Sequence, residues 1–352
     1  MIKIRIDDIE VNADEDETIM NVALRSGIEV PSMCHMDGVE HYTSCMVCMV
    51  KDNKTGVYLP SCSAKVQEGM NIDASGTDVQ AIRKKAVEML LSEHRAECEA
   101  PCRVVCPAGY NIPLMNRYLA SGQFKKAIGL IISELDAPEI RCHNCSGYCE
   151  NACRRKKIDR QISIRNIRIF ISQNLDYEGG TDEIIPLTEY QDLKKRFSSR
   201  IGKLEDSELK EWLKECLEGS QRNEDIDGFK SAGEEAGSCM HCDCRASEDC
   251  KLRELAQKFG IKDKGGKIVN GPVRKKINLK NGLIFENAKC IKCGLCVRVC
   301  EDSIDEPGLC FIERGFISVI SEPLTEDFED ILKTQAELCI NVCPTGALSR
   351  FY

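Results

Sequence analysis

The stretch "LLSEHRAECEAPCRVVCPAG", residues 90–109, closes a helical pattern and then sets one histidine and three cysteines on a four-residue beat: His94, Cys98, Cys102 and Cys106. Upstream, "DVQAIRKKAVEMLLSEH" carries Val79, Ile82, Ala86, Met89 and Leu90 at helical spacing, which predicts a helix ending at His94. Downstream, "CHNCSGYCENAC" adds Cys142, Cys145, Cys149 and Cys153. Together these residues make enough ligands for two cubane [4Fe-4S] clusters. His94 also fits a capping role at the carbonyl end of the helix dipole.

Cysteine usage sets the chemistry of the whole chain. There are 23 cysteines in 352 residues, grouped at metal-loop spacings, and Cys216 stands apart from every group. The opening "MIKIRIDDIEV" reads as an alternating strand rather than a secretory leader. No run approaches the roughly 18 apolar residues of a membrane span. A cytoplasmic protein is expected, its grouped cysteines metal ligands rather than disulfides. With 48 basic and 57 acidic residues the net charge is −9, which lacks the basic face that nucleic acid requires.

Residues 1–77 read as a two-stranded hairpin, a short helix started by Asp16 and Thr18, and a loop opened by Pro31. Cys34, Cys45, Cys48 and Cys62 follow as C-x10-C-x2-C-x13-C. The order suits a [2Fe-2S] cluster, although the first gap is longer than in the plant-type signature. Structural zinc sites favour two CxxC-like pairs instead. This stretch resembles the N-terminal domain of the iron-sulfur subunit of respiratory complex I, of [FeFe] hydrogenases and of NAD-dependent formate dehydrogenases. The resemblance implies a β-grasp fold.

Two family patterns meet in residues 78–178. "LLSEHRAEC" resembles the segment of complex I and hydrogenase subunits in which a histidine joins three cysteines on one [4Fe-4S] cluster. "APCRVVCPAGYNIPLMNRYLASGQFKKAI" and "CSGYCENACRRKKIDRQISIRNIRIFI" resemble the helical two-cluster domain of the small subunit of NADPH-dependent glutamate synthase and of dihydropyrimidine dehydrogenase. The second resemblance implies one [4Fe-4S] cluster on His94, Cys98, Cys102 and Cys153. It implies another on Cys106, Cys145 and Cys149. Some relatives supply that cluster's fourth ligand from the next helix, where this chain has Arg168, which cannot ligate iron; Cys142 is the nearest substitute.

Residues 179–228 form a charged helical linker without ligands. Leu209, Trp212, Leu213, Cys216 and Leu217 fall at helical spacing, so Cys216 is expected as a buried core thiol. Residues 229–352 hold a cysteine loop and a ferredoxin-like domain. The loop supplies Cys239, Cys242, Cys244 and Cys250, whose C-x2-C-x-C-x5-C spacing fits zinc or an iron-sulfur cluster. Its His241 is expected beside the ligands or facing solvent. "KCIKCGLCVRVC" copies the ferredoxin cubane run, in which Cys290, Cys293 and Cys296 pair with a distant fourth cysteine, here Cys343. Cys300, Cys310 and Cys339 are left over: they could hold an extra cluster with a missing or non-cysteine ligand, or be remnants beside one cluster. "ERGF" and "CPTGAL" again resemble the ferredoxin part of complex I and hydrogenase subunits.

The expected fold is therefore multidomain α+β: a β-grasp [2Fe-2S] domain, a helical two-cluster domain and a C-terminal ferredoxin-like domain. No G-x-G-x-x-G loop follows a strand, and no P-loop occurs. The chain thus lacks a complete catalytic site of its own. The resemblances imply an electron-transfer subunit with one [2Fe-2S] and three or more [4Fe-4S] clusters. It would relay electrons between an NAD(P)H-binding flavoprotein subunit and a catalytic oxidoreductase subunit or ferredoxin. The assembly could be electron-bifurcating, in an anaerobic host. A partly zinc-bound adaptor and a free ferredoxin-like carrier are the alternatives.

Overall fold

Isoleucine alternates with charge in "IKIRI", and Ile2, Ile4 and Ile6 of β1 (Ile2–Ile6) point into the core while Lys3 and Arg5 face outward. β1 pairs antiparallel with β2 (Ile9–Ala13), Ile4 opposite Val11. Thr18 caps α1 (Ile19–Arg25) by accepting from the Asn21 amide, the start that the sequence predicts. β3 (Met49–Asp52), β4 (Tyr58–Pro60) and β5 (Asn71–Asp73) complete a five-stranded sheet of order β2-β1-β5-β3-β4, with β1 and β5 parallel. Ile19, Val22, Val50 and Ile72 fill the space between α1 and the sheet. α2 (Thr77–Glu93) ends at the cap residue His94, as its periodicity predicts. Arg83 of this helix is buried and donates to the Met49 carbonyl of β3.

This account covers residues 1–40, 42–94, 97–134, 138–179, 206–216, 222–261, 273–300 and 306–351 of a computed structural model. Much of the expected linker 179–228, including Leu217, lies outside them. The chain is multidomain α+β. Its contacts divide it into two units, each built from separated segments: Met1–Arg95, Asp249–Pro272 and Glu286–Leu348 form the first, and Ala96–Glu248, Val273–Phe285 and Ser349–Tyr352 the second. The segments of the two units thus alternate along the chain.

The C-terminal part of the first unit contains a helix at Leu295–Arg298 and a strand pair, Cys310–Ile312 with Val319–Ser321. The Arg298 guanidinium stacks on Tyr42 at 3.9 Å, and Phe311 meets the same ring edge-on. Gly294 has φ +79, and a Cβ there would lie 2.9 Å from Tyr42, so this turn requires glycine.

The second unit is mainly helical: α3 (Pro101–Val105), α4 (Ile112–Ala120), α5 (Phe124–Glu134), α6 (Pro138–His143), α7 (Tyr148–Asn151), α8 (Ile164–Ser172), α9 (Leu209–Trp212) and α10 (Phe229–Gly237). Ile112, Met115, Leu119, Ile131, Ile167 and Ile171 form its core. Gly233 lets α10 approach the Leu119 carbonyl of α4, where a Cβ would stand at 3.0 Å. Trp212 is buried as the expected packing anchor, with the Lys275 ammonium 4.6 Å from its ring.

Glu235 of α10 is fully buried. Both its oxygens accept from Arg160, at 2.9 and 3.0 Å, and Arg222 reaches it at 3.2 Å. The backbone amides of Ser163 and Asn223 also donate to it. Removing one partner of such a buried network costs about 3–5 kcal/mol, because the remaining charges stay desolvated. Glu235→Ala should accordingly lower the unfolding free energy of this unit by that amount. A urea titration followed by tryptophan fluorescence measures it through Trp212, and an unchanged midpoint would contradict this role.

Candidate metal centres

In the first unit, β3, β4 and the loop after α1 bring Cys34, Cys45, Cys48 and Cys62 together, all buried. The grouping is the one the sequence spacing predicts. Cys48 and Cys62 pack against Met20 and Val30. Thr43 and Met46 take left-handed conformations, φ +50 and +55, which fold the ligand loop around the sulfurs. The Val47 amide lies 3.5 Å from the Cys45 sulfur. Hydrogen bonds from the Cys45 and Cys62 thiols lower the Cys34 pKa well below the ordinary thiol range. The bond from Cys62 lowers Cys48 to about 7. Cys45 and Cys62, as the donors, are raised.

Cys290, Cys293, Cys296 and Cys343 form the second group of this unit. Burial pushes the first two thiols up to about 12 and Cys296 well above the ordinary range, and each feels the Cys343 thiolate. Lys292, at φ +55, turns its amide onto the Cys290 sulfur at 3.3 Å. Thr345 bonds the Lys289 carbonyl and lies 3.8 Å from the Cys343 sulfur. Cys293 also feels the charge of Cys34.

Of the three leftover thiols, Cys300 and Cys339 are buried with sulfurs 3.2 Å apart. Cys310 stands on a strand, where burial and Glu322, not another cysteine, raise its pKa. His94 is buried at the end of α2 in the first unit. Cys250, also in this unit, caps the helix Lys251–Lys258 and turns its sulfur toward the Pro344 carbonyl.

In the second unit, Cys106, Cys142, Cys145 and Cys149 gather around the ends of α3, α6 and α7. Burial raises Cys142, with Cys106 and Cys145 adding to the effect and the Arg168 guanidinium opposing it. Cys149 is pushed up to about 12, again chiefly by burial. Arg168 does not ligate but faces this group from α8, stacked 3.8 Å from the Tyr110 ring centre and 3.5 Å from Glu134.

Cys102, Cys153, Cys239 and Cys242 line one cavity. Cys244 donates its amide to the Cys98 carbonyl at 3.1 Å. Cys250 falls in the first unit and Cys239, Cys242 and Cys244 in the second. Cys216 is half-buried rather than a core thiol; Arg155 donates to it at 3.0 Å and also bonds the Ser238 carbonyl. The cause is Arg155, whose guanidinium needs acceptors at this depth.

His241 does not face solvent. It is fully buried at φ +43, and burial lowers its pKa to about 3. Around it Arg117 grips Asp243 and Arg245 binds Glu215 at 2.5 Å, with Lys275 on the other Glu215 oxygen. Sequence spacing carried no signal for these ion pairs, whose members lie up to 126 residues apart. Among the described residues, no three or more His, Cys, Asp or Glu side chains close on a single metal ion.

Comparison with known proteins agrees with two of these regions. A model of a 2Fe-2S iron-sulfur cluster binding domain matches residues 1–76, and one of dihydropyrimidine dehydrogenase domain II, a 4Fe-4S cluster domain, matches residues 78–179. YrhE of Bacillus subtilis, named for formate dehydrogenase, is 34% identical over 97 residues, 28% of this chain and 10% of that protein. Subunit gamma of the NAD-reducing hydrogenase HoxS of Cupriavidus necator is 30% identical over 118 residues, 32% of this chain and 50% of its own. The NADH-ubiquinone oxidoreductase 75 kDa subunit of Reclinomonas americana is 22% identical over 312 residues, 82% of this chain and 41% of that one. The chain thus spans half or less of each of these relatives. Residues 1–76 thus match a 2Fe-2S domain and residues 78–179 a 4Fe-4S domain, and the chain is similar over part of its length to subunits of these oxidoreductases.

Arg168 and Glu134 are almost fully buried. Burial raises the Glu134 pKa, and the Arg168 charge holds it down. Arg168→Met should destabilise the protein by about 3 kcal/mol, and adding Glu134→Gln should recover part of the loss. Thermal unfolding of the two single variants and the double variant measures the coupling; strict additivity would remove the pair from the account.

Proposed function

We propose that this chain is the electron-relay subunit of an NAD(P)H-linked oxidoreductase, passing electrons between a flavoprotein subunit and a catalytic partner or ferredoxin. The observation that carries the reading is the contact between two cysteine loops in the first unit, where Arg298 stacks 3.9 Å from the Tyr42 ring and Gly294 packs against the same ring. Two redox centres this close would exchange electrons without any moving part. The relatives' names, an NADH-ubiquinone oxidoreductase and an NAD-reducing hydrogenase, support a nicotinamide-linked flavoprotein as one partner. Grouped free cysteines suit a reducing, cytoplasmic compartment.

The donor sets fit iron-sulfur chemistry: buried and half-buried thiols in fours, with backbone amides turned onto the Cys45 and Cys290 sulfurs. Cys34, Cys45, Cys48 and Cys62 would hold the [2Fe-2S] cluster on a β-grasp scaffold. Cys290, Cys293, Cys296 and Cys343 would hold a [4Fe-4S] cluster in a ferredoxin-like domain, and Cys106, Cys142, Cys145 and Cys149 another in the helical unit. The clusters supply reversible one-electron chemistry. The chain's own residues do the rest: amides of Val47 and Lys292 place hydrogen bonds on sulfur, and Arg168 places a buried positive charge beside Cys142. Both favour the more negative, reduced state and raise the potential.

Anaerobically purified protein should contain at least about 10 irons per chain, the sum for the [2Fe-2S] and the two [4Fe-4S] clusters assigned above. Cys34→Ser should remove the [2Fe-2S] paramagnetic resonance signal and leave the cubane signals. A chain with stoichiometric zinc and only the two irons of a [2Fe-2S] cluster would overturn the relay.

A further inference from the structure

We propose that Cys102, Cys153, Cys239 and Cys242 together ligate one [4Fe-4S] cluster, and that Asn116 is its hydrogen-bond donor. The inference deepens the relay reading, on which it rests. It moves Cys239 and Cys242 out of a self-contained loop site. It also takes the places that the sequence pattern gives to His94 and Cys98.

Three segments converge on the cavity. Cys102 comes from α3, Cys153 from the end of α7, and Cys239 and Cys242 from the loop after α10. Ile112, Pro113, Ile162 and Ile164 supply apolar wall. Asn116 of α4 lines the same cavity with no exposed surface, and its side chain is set on the Cys239 sulfur. Arg154, held by Glu97 at 2.7 Å, also lines the cavity and reaches the Cys242 sulfur. Four thiols with two buried donors set on two of their sulfurs fit an anionic, sulfur-rich occupant.

Electrostatics agree with the grouping. Burial raises Cys102 well above the ordinary thiol range, with Cys239, Cys153 and Cys242 adding to the effect. Asn116 opposes burial at Cys239, and Arg154 does so at Cys242. The loop is fixed from behind by Arg155, through Ser238 and Cys216.

The test uses the full chain, purified without oxygen, with iron and zinc assays, Mössbauer spectra and paramagnetic resonance. Cys239→Ser/Cys242→Ser should lose about four irons and one cubane signal, while Cys250→Ser and His94→Ala keep both. Asn116→Leu retains every thiol; it should keep the full iron content and lower the midpoint potential of one cubane only. This variant guards against misfolding in the double mutant. Full iron and unchanged signals in Cys239→Ser/Cys242→Ser would overturn the ligand set and leave the relay standing, as would zinc bound there beside intact remaining clusters. Unchanged potentials in Asn116→Leu would overturn the role of Asn116. Absence of iron from all the cubane groups would instead remove the relay reading itself.

Discussion

A single buried carboxylate, Glu235, organises the helical unit. It has no access to water, so its charge must be met by protein donors, and those it recruits come from both sides: Arg160 and Ser163 ahead of α8, and Arg222 and Asn223 ahead of α10. Satisfying one charge therefore sets the start of one helix against the end of another. The residues after α10 then leave at a fixed angle, and Arg155 holds them through Ser238 and Cys216. The orientation of Cys239 and Cys242 is inherited from this network. Without it, two thiols on a loop would have no reason to face Cys102 and Cys153.

In the first unit the corresponding device is aromatic. Tyr42 sits in the ligand loop that carries Cys34 and Cys45, takes the Arg298 guanidinium on its face and meets Phe311 at its edge. The close approach of Gly294 to that ring leaves no space for a side chain between the two cysteine loops. A stack of this kind adds about 0.5–2 kcal/mol, which is modest; its larger effect is to fix one ligand loop against the other. Distance governs electron exchange, so a contact of small energy sets a large rate.

Local patterns in the sequence made much of this legible. Alternating isoleucines gave β1, Thr18 the start of α1, and the apolar period of 79–90 the end of α2 at His94, because each depends on neighbours a few residues away. The Cys34 group and the run Cys290, Cys293 and Cys296 could be read for a similar reason: their loops are short enough for spacing to imply proximity. The surroundings of Cys102, Cys153 and the 239–250 loop could not. There the decisive contacts join segments 75 to 126 residues apart through buried ions such as Arg160–Glu235 and Arg117–Asp243, and nothing in local spacing encodes such pairings. Cys216 was misplaced on the same ground, lying beside Arg155 from far along the chain.

The interleaving of the two units bears on how the protein is made. Residues 1–77 hold a complete sheet and four thiols, so this part can close early in synthesis. The fourth cysteine of the neighbouring group, Cys343, leaves the ribosome some 50 residues after the first three. At about 5–20 residues per second, those thiols wait seconds for their partner, exposed to oxidants and to stray metals. An assembly of this design therefore places a premium on shielding the nascent chain, and the hazard falls on Cys290, Cys293 and Cys296 rather than on the ligands that fold first.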